Sequence, residues 1–121
     1  MKTFDAEAFA AEWIDAFNAR DLFRILDHYG DAIELVSPIY REFTGGATDR
    51  LSGKPALADY FGTALALYPE LHFTLLDVAK GTRSLCLRYL SNIGDRHAIE
   101  CFEFGPDGKA SRVLCHYQLA A

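Results

Sequence analysis

The chain has no cluster of basic residues, no apolar run of bilayer length and few of the spacings that build dedicated metal or phosphate sites. Its 12 Lys+Arg against 17 Asp+Glu give a formal charge of −5 and a pI near 5.2. Nucleic acids and anionic membranes select basic patches that displace counterions or meet phosphates. Neither is an expected partner. No hydrophobic run approaches the roughly 20 residues that cross a bilayer, and the opening MKTFDAEAF carries acids where a secretory leader carries an apolar stretch. A cytoplasmic protein is expected.

Cysteine is scarce as well. Cys86, Cys101 and Cys115 are odd in number, widely spaced and embedded in apolar segments, which suits buried reduced thiols better than a disulfide framework. His28, His72, His97 and His116 never fall at HxxxH or HExxH spacing, and no CxxC accompanies them. No metal is expected. In GGATDRLSGKP six residues separate Gly46 from Gly53, and Lys54 is followed by Pro55 instead of Ser or Thr, so the stretch is not a phosphate loop. With no GxGxxG and no GxSxG, neither a dinucleotide cofactor nor a nucleophile elbow is expected. No cofactor of any kind is implied.

What the chain does have is a core. Half of its 121 residues are hydrophobic and 13% are aromatic, enough for one domain spanning residues 1–121. Phe9, Trp13 and Phe17 recur at helical spacing, with Thr3 as the expected cap. A second short helix is expected from Asp21, with Leu22, Ile25, Leu26 and Tyr29 on one face and Gly30 as its stop. AIELVSP then reads as a strand that Pro38 ends or displaces to an edge. Residues 39–52 combine a glycine pair with Thr, Asp and Ser, so a long loop or lid is expected. SGKPALADYFGTALALYP reads as a third helix with Pro55 in its first turn and Leu57, Phe61 and Leu65 on its apolar stripe. From Leu71 the period changes to two, giving strands near 71–80, 83–92, 96–105 and 110–119 joined by hairpin-like connectors. The sum is an α+β domain: three N-terminal helices packed on a curved, mostly antiparallel sheet.

FNARDLFRILDHYGDAIELVSP, then SGKPALADYF, then FGPDGKASRVLCHYQ follow one another in an order that resembles the nuclear-transport-factor-2-like superfamily, in particular its SnoaL-like branch. The resemblance implies a cystatin-like cone, closed at one end by helices, with a largely apolar pocket at its open mouth and a homodimer through the outer sheet face. It does not imply one reaction, since such folds serve isomerases, cyclases, dehydratases, epoxide hydrolases and non-catalytic binding domains. Against the ketosteroid isomerase pattern of a helix tyrosine, a base aspartate before a proline and a protonated aspartate on a later strand, Trp13 falls at the tyrosine and Ser37 at the base. Glu100, in ECFEF, falls at the protonated acid. An indole does not ionise usefully and a serine hydroxyl is too weak a base, so steroid isomerase chemistry is not expected.

Strand alternation puts Ala98, Glu100, Phe102 and Phe104 on one face and Ile99, Cys101 and Glu103 on the other. If the first set faces the cone interior, burial raises the pKa of Glu100 and makes it a candidate acid–base group. The competing reading pairs Glu100 with Arg88 or Arg112 across the sheet. Tyr117 shares its face with Val113 and Cys115, toward the pocket, while His116 points outward. Tyr89 and His97 complete the polar candidates. Around Glu100, the expected ligand contacts are Trp13, Phe17, Tyr29, Ser37, Tyr40, Phe61, Leu65, Phe102, Phe104, Cys115 and Tyr117, with Tyr40 near the mouth. The expected partner is a small apolar molecule. Two functions stay open: an isomerase, cyclase or dehydratase working through Glu100, and a ligand-binding or dimerisation module without turnover.

Overall fold

The computed structural model describes residues 5–119, so the expected cap at Thr3 lies outside the described residues. Helix α1 (Ala6–Asn18) is capped by Asp5, whose carboxylate accepts from the Ala8 N–H at 2.9 Å. Its buried stripe of Ala6, Ala10, Trp13, Ile14 and Phe17 follows the helical period. Arg20, in the left-handed region at φ 59°, turns the chain and sends its guanidinium to the carbonyls of Leu65 and Tyr68. That cation meets the carbonyl end of a later helix, where the dipole is negative.

Asp21 caps helix α2 (Leu22–Leu26), which stops one turn earlier than the sequence suggests. Tyr29 and Gly30 are not its last turn; they open strand β1 (Tyr29–Val36). The physical reason is long-range. Tyr29 is fully buried, its hydroxyl accepts the Trp13 indole N–H at 2.9 Å, and its backbone pairs with Ala110.

The expected loop over residues 39–52 is mostly ordered into elements. Ser37 accepts the N–H groups of Ile39 and Tyr40 and Pro38 occupies the first turn, so together they start helix α3 (Pro38–Phe43). Strand β2 (Arg50–Ser52) then pairs antiparallel with β1. Gly53 at φ 92° precedes helix α4 (Lys54–Leu67), in a conformation that only glycine adopts without strain. The described residues thus form four helices, the added one being α3.

Strands β3 (Phe73–Lys80), β4 (Ser84–Ser91), β5 (Arg96–Phe104) and β6 (Ala110–Leu119) form the expected antiparallel meander. The sheet order is β2-β1-β6-β5-β4-β3, with β1 and β6 parallel. A bulge between Glu103 and Phe104 lies beyond the middle of β5, so the expected alternation holds where it matters. Ala98, Glu100, Phe102 and Phe104 are buried, while Ile99 and Glu103 are exposed.

Helix α1 lies across this inner face. Trp13 stacks on Phe73 and meets Tyr89 and Phe102. At its end the Asn18 amide donates to the Phe73 carbonyl and accepts from the Phe73 N–H, both at 2.8 Å, as a strand partner would. The indole–phenol bond at the centre is testable. Tyr29→Phe strands a buried indole N–H and is expected to cost about 1–3 kcal/mol in chemical denaturation; the Trp13→Phe/Tyr29→Phe pair costs less than the sum of the singles.

Candidate functional site

β5 delivers the site because its even-numbered residues face the helices. Glu100 is 4% exposed, directly opposite Leu87 on β4 and Cys115 on β6. Tyr89, two residues along β4, reaches it diagonally. Its hydroxyl donates to Glu100 Oε2 at 2.5 Å, and the Cys115 thiol donates to Oε1 at 3.5 Å.

No arginine balances this carboxyl. Arg88 points to the outer face, where its guanidinium grips Asp77 at 2.8 and 3.0 Å, and among the described residues no ion pair involves Glu100. The cross-strand pairing with Arg88 or Arg112 is therefore not what the fold uses. Burial without a countercharge pushes the Glu100 pKa up to about 7, while the bonds from Tyr89 and Cys115 hold it back. The same burial, together with the nearby carboxylate, raises the Tyr89 phenol and the Cys115 thiol well above their usual ranges. Both remain protonated donors around neutrality. Glu100 alone of this set changes charge there.

Glu100 forms part of the wall of a cavity of about 170 Å³ between the sheet, α3 and α4. Its apolar walls come from Phe17, Phe61, Phe73, Ile39 and Leu71, and Tyr60, Tyr89 and Tyr117 bring hydroxyls. Glu42, Tyr68, Ser91 and Arg96 supply the remaining polar lining. Burial raises the phenol pKa of Tyr60 above its usual range and that of Tyr117 well above it, so both stay protonated donors. The volume is below the roughly 300–1,000 Å³ of drug-sized sites, which suits a small ligand.

Of the residues expected around the ligand, Phe17, Phe61, Glu100 and Tyr117 meet at this cavity. Cys115 stands behind Glu100 as a hydrogen-bond donor. The others do not line it. Trp13, Tyr29 and Phe102 are sealed in the core, and the polar atoms of Trp13 and Tyr29 satisfy each other. The Ser37 hydroxyl caps α3, Tyr40 packs on Phe43 and Tyr60, and Leu65 belongs to the core. Phe104 lies toward the opposite end of β5 against Phe9. His97 and His116 face a recess on the outer side of the sheet with Arg88 and Gln118.

Tyr60, Phe73 and Arg96 were not among the expected contacts, and Tyr89 was a polar candidate without a place. The hairpin register carried the missing signal. Ser91 opposite Arg96 sets Leu87 opposite Glu100, and hence Tyr89 on the diagonal. Arg96 shares the parity of Glu100.

The buried acid makes stability depend on pH. Its folded pKa of about 7 exceeds the reference 4.5, so the contribution is fully present below about pH 4.5 and is lost as pH rises toward 7 and beyond. Relative to Glu100→Gln, the wild type should lose on the order of 3 kcal/mol between about pH 4 and pH 8. Urea denaturation across that range measures the difference, and a constant gap would contradict it.

Comparison with known proteins places the chain among small α+β cones. A family described as SnoaL-like domain matches residues 10–116. A SnoaL-like protein of unknown function from Burkholderia thailandensis is 40% identical over 93% of this chain and 94% of that one, with a TM-score of 0.87. A candidate ketosteroid isomerase from Kribbella flavida is 19% identical over 97% and 82%, with a TM-score of 0.72. The epoxide hydrolase/cyclase-like enzyme SalBIII, with a role in pyran ring formation in salinomycin, is 18% identical over 93% and 89%, also at 0.72. No curated protein matches the chain.

Proposed function

The chain belongs to the SnoaL-like domain family, and from that premise we propose that it is an acid–base enzyme of the isomerase or cyclase kind, acting on a small apolar ligand through Glu100. The observation that carries this reading is a buried carboxyl whose pKa lies near 7 at the wall of an apolar cavity. An acid–base group works best when its pKa lies near the working pH, because both protonation states are then accessible. Relatives of the same fold include a candidate ketosteroid isomerase and a cyclase-like enzyme, which agrees with proton-transfer chemistry in general and names no substrate here.

In this scheme the ionised Glu100 removes a proton next to a carbonyl and returns it elsewhere on the same ligand. Negative charge then develops on the carbonyl oxygen. Tyr60 and Tyr117 both line the cavity and hold their phenol protons, so either can donate to that oxygen. Tyr89 has a different part: its bond stabilises the carboxylate and sets the pH at which the base is available.

One observation favours the other reading, a pocket that binds without turnover. Ser37, at the position of the isomerase base, has its hydroxyl committed to the start of α3. The scheme above therefore assigns the proton transfer to Glu100 alone. The outer sheet face, with exposed Leu76 and Ile99, supports the further proposal of a homodimer, which sedimentation equilibrium tests.

Isomerisation of a β,γ-unsaturated cyclic ketone, followed by the absorbance of its conjugated product, separates enzyme from binding module. Turnover is expected with a limb near pH 7, falling by about a hundredfold or more in Glu100→Gln. Tyr89→Phe should move that limb to higher pH, because it removes a bond that favours the carboxylate. Equal rates for the wild type and Glu100→Gln would contradict the proposal.

A further inference from the structure

The polar ends of the cavity are not alike. Glu100 is buried near the middle of β5, and Arg96 begins the same strand on the same face, four residues away. At about 3.4 Å per residue their backbones are about 14 Å apart. Phe17, Phe61 and Phe73 contribute the apolar wall of the same cavity. Arg88 on the outer face is paired with Asp77, and Arg24 with Glu12 and Asp15. Arg96 lines the cavity, and among the described residues its side chain makes no hydrogen bond or ion pair.

We infer that the ligand is a small apolar carboxylic acid whose carboxylate is held by Arg96, with its apolar body directed toward Glu100. This rests on the pocket reading above and adds the substrate class to it. A guanidinium forms two parallel hydrogen bonds with a planar carboxylate, which fixes orientation as well as charge. The acid is a monoanion. Glu42 lines the same cavity and the chain carries −5 overall, so a single guanidinium leaves the second charge of a phosphate or dicarboxylate unbalanced. The division of labour follows: Arg96 orients the ligand, and the reacting carbon lies at the Glu100 end.

Two probes of matched shape, phenylbutyrate and phenylbutanol, test the inference by calorimetric titration at about pH 6, where the acid is ionised. In the wild type the acid should bind about tenfold tighter than the alcohol or better. Arg96→Met keeps the apolar stem, so it should bring the two affinities within about twofold of each other. Arg96→Lys should keep part of the preference, which distinguishes lost charge from lost structure. If the alcohol binds as well as the acid, or if the preference survives Arg96→Met, the carboxylate assignment is overturned and the apolar pocket stands. Binding of neither probe overturns both.

Discussion

A carboxyl group buried without a countercharge constrains everything around it. Ionised Glu100 would lose its hydration and gain only the bonds from Tyr89 and Cys115, so the fold favours its neutral form. The site consequently combines apolar walls with protonated donors, a setting in which one added or removed proton changes the field that a ligand meets. The arrangement depends on strand register. A slip of one residue on β5 would exchange Glu100 for Ile99 or Cys101 at the inner face and turn the acid out into solvent. Two side chains fix the neighbouring strand and turn: Asn18 pairs with the backbone of Phe73, and Asn92 accepts from the His72 N–H and donates to the Glu70 carbonyl, each at 2.7 Å. Asn18 thus fastens the start of β3 to α1, and Asn92 ties the β4–β5 turn to the segment before β3.

The polar groups of the first helix and first strand serve structure here. Trp13 and Tyr29 form a closed donor–acceptor pair in the core, and Ser37 begins a helix. The groups able to do chemistry sit instead on β4, β5, β6 and α4: Tyr89, Glu100, Tyr117 and Tyr60.

Much of this was legible in the sequence. Period-two patterning gave the four meander strands almost to the residue, and alternation placed Glu100, Phe102 and Phe104 inside with Ile99 and Glu103 outside. Three things were not legible, each for a physical reason. Residues 39–52 look like a loop by composition, but Ser37 and Pro38 start a helix there that the glycine pair ends, and pairing with β1 makes Arg50–Ser52 a strand. Tyr29 has helical spacing from Leu22, Ile25 and Leu26, but a bond to Trp13 across 16 positions and pairing with Ala110 draw it into β1. The cavity wall draws on α3, α4 and the β4–β5 turn, whose relative positions come from tertiary packing that no local period encodes. Hence Tyr60, Phe73 and Arg96 were missed, while the sealed Trp13 and Phe102 were expected in contact with ligand.

The most direct measurement is the titration of the Glu100 side-chain carboxyl by carbon-detected NMR, with Glu100→Gln assigning the resonance. A midpoint near 7 is expected, as burial without a countercharge requires. A midpoint at or below the usual glutamate value of about 4.3 would mean a solvated or ion-paired acid, and would contradict the central claim.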